Sequence, residues 1–157
     1  MDDILTGVVA GLVGTLAMDA LNILVARTQL IARVDVSMIG RMAAGWVRGR
    51  FRYASPSEMQ PFRGEVPVGI MTHYAIGVAL SVPYVVGWSI VTGDSPTPGW
   101  ALVYGLATTV ASWFFVYPSM GMGVFGRRSP EGMKAALSSL ANHLFYGLGL
   151  ALGIALF

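Results

Sequence analysis

Four long apolar stretches limit the folds open to this chain more than any other feature of its sequence. They cover residues 4–26, 67–91, 98–117 and 135–157. Each is close to the roughly 20 residues that an α-helix needs to cross the hydrocarbon core of a bilayer. Since a span must satisfy its own backbone hydrogen bonds, we predict an all-α fold, a four-helix transmembrane bundle. Residues 1–157 would then form a single integral membrane domain.

The composition agrees with a membrane protein. Of the 157 residues, 55% are hydrophobic and only 11% are charged, and the mean hydropathy is +0.65. These values lie well outside the range of soluble globular domains. Cysteine is absent, which excludes disulfides, thiolate metal sites and a cysteine nucleophile.

The basic residues predict the orientation of the bundle. All 10 Lys and Arg residues lie in two connections, residues 27–66 and 118–134. Because loops rich in Lys and Arg stay on the cytoplasmic side, we expect both basic loops in the cytoplasm and both termini outside. The positive charge is thus a topology signal, and no nucleic-acid partner is expected.

An amphipathic helix is predicted between the first two spans, over residues 38–53. Ile39, Met42 and Trp46 would share its apolar face, with arginines on the other. Such a helix usually lies in the plane of the headgroups, although docking of a partner is an alternative. The expected partners are therefore the lipid bilayer and its anionic headgroups. The arginines expected to meet these headgroups are Arg41, Arg48, Arg52, Arg127 and Arg128.

Three ionisable side chains interrupt the apolar stretches: Asp19, His73 and His143. Ionisable groups inside a span are costly and usually face a partner or a pathway, so function is sought there first. Each lies about two helical turns in from the basic connections, which places all three at a similar depth. Small residues one turn away from both histidines would let neighbouring helices approach closely. We therefore expect the three side chains to meet in one site.

One carboxylate and two imidazoles are a common ligand set for a divalent metal ion such as Zn²⁺, Fe²⁺ or Mn²⁺. Met18 and Met71 lie close in sequence to Asp19 and His73, so a copper ion bound partly by thioether sulfur is a further alternative. The same trio could instead relay protons, because histidine titrates near neutral pH. Supporting hydrogen bonds, or further steps of a relay, are expected from Asn22, Thr72, Tyr74, Asn142 and Tyr146. The leading prediction is a small transporter or metal-handling protein.

Two other functions stay open. The trio could be interhelical hydrogen bonds worth about 0.6–2 kcal/mol each, in a non-catalytic accessory subunit of a larger membrane complex. It could also serve a small intramembrane enzyme, with His73 or His143 as acid or base. Hydrolase, zincin and Walker A motifs are absent from the sequence, so enzyme status is left undecided. Glycine-rich helix faces suggest a homo-oligomer or association with partner membrane subunits.

A glycine pattern follows the third span. Residues 121–126 have the spacing G-x-G-x-x-G, which binds dinucleotides only after a β-strand and before a helix. Here a predicted span precedes it, so a nucleotide site is rejected. The glycines are expected to end the span and to allow tight backbone packing.

The sequence also suggests an internal repeat. Residues 11–17 resemble residues 105–111, and His73-x-x-x-Gly77 resembles His143-x-x-x-Gly147. Two parallel helical hairpins, related by an axis along the membrane normal, would produce this pattern. Trp113 takes the place that corresponds to Asp19. A pair of histidines with a single carboxylate would result.

Several of these motifs together resemble a family of small bacterial four-span integral membrane proteins of unknown function. They are Thr15-Leu16-Ala17-Met18-Asp19, His73, Pro118-x-x-Gly121-x-Gly123 and Asn142-His143-x-x-Tyr146-Gly147-x-Gly149-Leu150. The resemblance implies a multi-pass protein of the bacterial inner (cytoplasmic) membrane. It implies no activity.

Overall fold

The computed structural model describes residues 2–157, and all regular structure in that range is helical. Five helices are formed: α1 (Asp3–Ala26), α2 (Val36–Val47), α3 (Glu65–Thr92), α4 (Pro98–Ser119) and α5 (Met133–Ile154). Short 3₁₀ turns lie at Pro56–Glu58 and Val124–Gly126. Helices α1, α3, α4 and α5 are long and apolar enough to cross a membrane. The all-α prediction and its four apolar spans are confirmed, and the chain is a membrane protein.

Helices α1 and α5 form the centre of the bundle, with α3 packed on α1 and α4 packed on α5. Small residues let the two central backbones touch. A Cβ atom added to Gly149 would lie 2.6 Å from the Cα of Gly14, and one added to Gly153 would lie 2.6 Å from the Cα of Ala10. Van der Waals packing at such contacts drives helix association where no hydrophobic effect operates.

The packing inside each hairpin agrees with the internal repeat. In the first hairpin, a Cβ on Gly11 would lie 2.9 Å from the Gly77 carbonyl oxygen. In the second, a Cβ on Gly147 would lie 3.3 Å from the Cα of Gly105. Gly11 corresponds to Gly105 in the repeat, and Gly77 corresponds to Gly147. Equivalent glycines therefore form the helix crossing in both hairpins.

The two contacts between the hairpins are not equivalent. A two-fold repeat that packs α1 on α5 would also pack α4 on α3, yet the backbones of α3 and α4 stay apart over most of their length. The small residues of the α1–α5 contact are replaced at the corresponding positions of α3 and α4. Tyr104 corresponds to Ala10 and Thr108 to Gly14, while Ala79 corresponds to Gly149 and Pro83 to Gly153. Bulkier side chains thus hold this second interface open.

Two tyrosines bridge the open interface towards the end away from the basic connections. The rings of Tyr84 and Tyr104 stack with centroids 4.1 Å apart. The Tyr104 hydroxyl donates to the Leu80 carbonyl oxygen at 2.7 Å. Between these two tyrosines and the basic connections, α3 and α4 separate.

Helix α2 packs on the protein itself. Its apolar residues Ile39 and Met42 are buried in a cluster with Met59 and Met120. Arg41 forms a paired hydrogen bond with Glu65, at 2.7 and 2.8 Å, which raises the pKa of Arg41 above its ordinary value. The apolar face that the sequence assigned to lipid therefore contacts protein, and one of the five predicted headgroup arginines is bound to a carboxylate.

Helix α2 also ends earlier than residue 53. Gly49 adopts a positive φ of 76°, and Arg50 N donates to Gly45 O at 2.9 Å. These features form a Schellman motif, which stops a helix because its last carbonyls are satisfied by the turn. The prediction extended to residue 53 because the apolar periodicity continues through this turn and into the following loop, although the helix itself stops at Val47.

Candidate functional site

A cavity of about 700 Å³ occupies the open interface between α3 and α4. All five helices contribute to its wall, and α2 lines the part nearest the basic connections. Most lining side chains are apolar or aromatic, among them Met42, Trp46, Ile76 and Phe115. Polar and charged side chains also line it, among them both histidines of the chain, Arg33, Asp35 and Glu131. A largely apolar cavity with a few convergent polar groups is typical of a small-molecule site.

Asp19 and His73 meet, as the sequence predicted. Asp19 Oδ1 on α1 lies 3.0 Å from His73 Nε2 on α3. The side chains are 27% and 12% exposed, respectively. His73 lines the cavity, and the ring of Tyr74 stands edge-on to it with centroids 6.0 Å apart. Half-buried Thr72 precedes His73 on the same helix.

His143 has a different partner. Its Nδ1 lies 2.7 Å from Thr108 Oγ1 on α4, and the same hydroxyl donates to the Gly105 carbonyl oxygen. A hydroxyl has only one proton to give, so Nδ1 of His143 must donate to Thr108. Nε2 is then the ring nitrogen left free to accept a proton.

Helix α4 is irregular beside this contact. Its α-helical pattern is interrupted at Thr108 and passes through a π-helical turn at Ser112–Val116. A threonine that bonds back to its own helix favours such a bend, and π-turns frequently mark functional sites. Both Ser112 and Phe115 lie on the cavity wall.

The predicted trio is therefore divided into two pairs at one cavity. Within residues 2–157, no group of three or more His, Cys, Asp or Glu side chains is placed to hold a metal ion. Met18 lines the cavity, whereas Met71 is 73% exposed and lies away from it. Metal binding by Asp19, His73 and His143 stays a prediction.

The other polar residues singled out from the sequence bind mainly to one another and to the backbone. Asn22 Nδ2 donates to Asn142 Oδ1 at 2.9 Å and to Ala32 O at 3.1 Å, while its Oδ1 accepts from Val34 N at 3.2 Å. These bonds join α1, α5 and the connection to α2. The Tyr146 hydroxyl donates to Gly77 O at 2.6 Å, joining α5 to α3. These hydrogen bonds therefore hold α1, α3 and α5 together.

Sequence reasoning missed Thr108 and the α2 contribution to the cavity. A buried threonine in a span is a usable signal, because its hydroxyl must find a partner. Nothing in the sequence pairs it with His143 in particular. The place of α2 depends on contacts with Met59 and Met120, which periodicity does not reveal.

The fold and the cavity define a small polytopic membrane protein with an Asp–His pair between two of its apolar helices. The chain belongs to the family described as Protein of unknown function (DUF2938), whose model matches residues 8–156. This confirms the resemblance to a family of unknown function. No curated protein matches the chain, and no solved structure does.

Proposed function

We propose that this protein is a small membrane transporter in which the Asp19–His73 pair exchanges a proton for an amphipathic cation held in the cavity. The observation that carries the proposal is the 3.0 Å contact between Asp19 Oδ1 and His73 Nε2, next to the cavity. Unlike metal binding, this function needs only the two groups that are in contact.

Charge balance supports proton exchange. With Asp19 ionised and His73 neutral, the pair carries one net negative charge, and one added proton makes it neutral overall. Net charge among apolar helices is costly. A proton and a cationic ligand would therefore compete for the same charge, which is the basis of an exchange mechanism.

The cavity wall supports a ligand with an apolar body. Trp46 and Phe115 both line it, with ring centroids 5.5 Å apart. Aromatic faces attract organic cations. The buried Nε1 of Trp46 finds no hydrogen-bond partner in residues 2–157, so a ligand acceptor could take this donor.

The proposed setting is a bacterial inner membrane, with both basic connections in the cytoplasm. These connections meet at one end of the bundle, where Arg128 Nη1 donates to Ala54 O at 3.0 Å. Their combined positive charge favours retention on the cytoplasmic side. The cavity would then lie in the cytoplasmic half of the membrane.

Calorimetric titration of the purified protein with tetraphenylphosphonium, repeated in two buffers of different ionisation enthalpy, tests the exchange directly. We expect up to about one proton to be released per bound cation, since the pair holds a single net charge. Asp19→Asn should bind more weakly and release none. Asp94→Asn, a matched change in the loop after α3, should behave as the parent protein does.

Two results would refute the proposal: no binding of the cation by the parent protein, or unchanged proton release in Asp19→Asn. Stoichiometric Zn²⁺ retention that is lost in His143→Ala would instead support metal handling. Fixed partner proteins after mild detergent extraction, unaffected by His73→Ala, would support an accessory subunit.

A further inference from the structure

Three arginines surround a second pocket, at the end of the bundle where the basic connections meet. Arg52, Arg127 and Arg128 line a space of about 370 Å³, together with Tyr53, Pro118 and Val124. All three arginines are exposed. This pocket has no lining residue in common with the α3–α4 cavity.

The glycine turn after α4 creates the pocket by bringing the two connections together. Gly121 has a positive φ of 75°, and a Cβ added there would lie 2.8 Å from Pro56 N. Only glycine allows this conformation and this close approach without strain. Arg128 is fixed at one side because its Nη1 donates to Ala54 O.

The pocket carries uncompensated positive charge. The nearby carboxylates are taken by other basic residues: Glu58 pairs with Arg50, and Glu131 pairs with Lys134 at 3.4 Å. None of the three pocket arginines forms a salt bridge within the part of the chain that the structure describes. No Asp or Glu lines the pocket in that same part. An anion is therefore the ligand that this site would bind.

We propose that this pocket binds the phosphate of an anionic phospholipid. Guanidinium groups match phosphate oxygens in shape and form paired, charge-assisted hydrogen bonds with them. Pro118, in the last turn of α4, belongs to a helix long enough to cross a membrane, so the pocket lies at the depth of headgroups. The bound lipid would tie the loop before α3 to the turn after α4.

Native mass spectrometry of the protein with phosphatidylglycerol, and separately with phosphatidylcholine, tests this site. We expect one phosphatidylglycerol to be retained and no phosphatidylcholine. The double variant Arg52→Gln/Arg127→Gln should retain at least about tenfold less, because two charge-assisted contacts are lost. The control Arg27→Gln/Arg63→Gln removes the same charge from exposed positions outside the pocket and should retain lipid normally.

Arg128 is left in place because of its bond to the Ala54 backbone, and thermal unfolding of both double variants verifies that they remain folded. Equal loss of lipid in the two double variants would show diffuse charge attraction and overturn the site. Displacement of the lipid by inorganic phosphate alone would assign the pocket to a soluble phosphate and overturn the lipid assignment. Retention of phosphatidylcholine at the same level would overturn the requirement for an anion.

Discussion

Replacing Gly149 by alanine should destabilise the bundle by forcing α1 and α5 apart. The added Cβ would lie 2.6 Å from Gly14 Cα, 2.7 Å from Ala17 Cβ and 2.8 Å from Val13 O. Ordinary carbon contacts are about 3.5–4.0 Å, so the helices must separate by about 1 Å. None of these atoms is the end of a flexible side chain. The helices themselves must move.

The magnitude follows from two opposing effects. Overpacking of this kind costs about 1–3 kcal/mol, whereas alanine gains up to about 1 kcal/mol over glycine in a helix interior. We expect Gly149→Ala to lose up to about 2 kcal/mol of unfolding free energy. Gly87→Ala is the matched control, because a Cβ there meets no atom of the described residues within 4 Å. It should be neutral or slightly stabilising.

Unfolding by SDS in mixed micelles, followed by the fluorescence of the 4 tryptophans, measures both variants under one set of conditions. We predict a difference of about 2 kcal/mol in unfolding free energy between them. Equal midpoints would refute it, because close α1–α5 packing would then contribute nothing specific to stability.

Three further changes probe individual contacts. Thr108→Val keeps the shape of the side chain but leaves His143 Nδ1 without its partner, so unfolding free energy should fall by about 1–3 kcal/mol; no change in chemical denaturation would contradict this bond. Asn142→Leu should cost a similar amount because it leaves one N–H of the Asn22 amide without its acceptor; unchanged stability in the same denaturation experiment would contradict this. Arg41→Gln should increase hydrogen exchange in α2 but not in α5, since it removes the hydrogen bond from α2 to Glu65 on α3. Exchange in α2 equal to that of the parent protein would show that α2 is held by its apolar face alone.

The spans were predictable because their signal is long and physically simple. Twenty apolar residues in a row have few alternatives to a membrane helix, and the observed bounds differ from the predicted ones by no more than a few residues at each end. Depth counting also predicted that Asp19 and His73 could meet. It depends only on helical rise, which is constant along a helix.

Depth does not determine which neighbour a side chain contacts. His143 lies at a similar level, but the rotation of α4 brings Thr108 to its Nδ1. Likewise, an amphipathic pattern shows that Met42 needs an apolar neighbour without stating whether lipid or Met59 provides it. Tertiary packing settles such choices, and it involves residues from segments that have no periodicity of their own.

The unequal interfaces of the two hairpins have a consequence for how the chain tolerates substitution. The contact of α1 with α5 depends on Gly14, Gly149 and Gly153, so saturation mutagenesis should find those positions nearly invariant among folded variants. Of their counterparts, Ala79 on α3 and Thr108 on α4 line the α3–α4 cavity, where a change in side-chain volume alters the space available and forces no two backbones apart. One copy of the repeated interface therefore maintains the fold, which frees the other to vary in side-chain size and so to change the shape of the cavity.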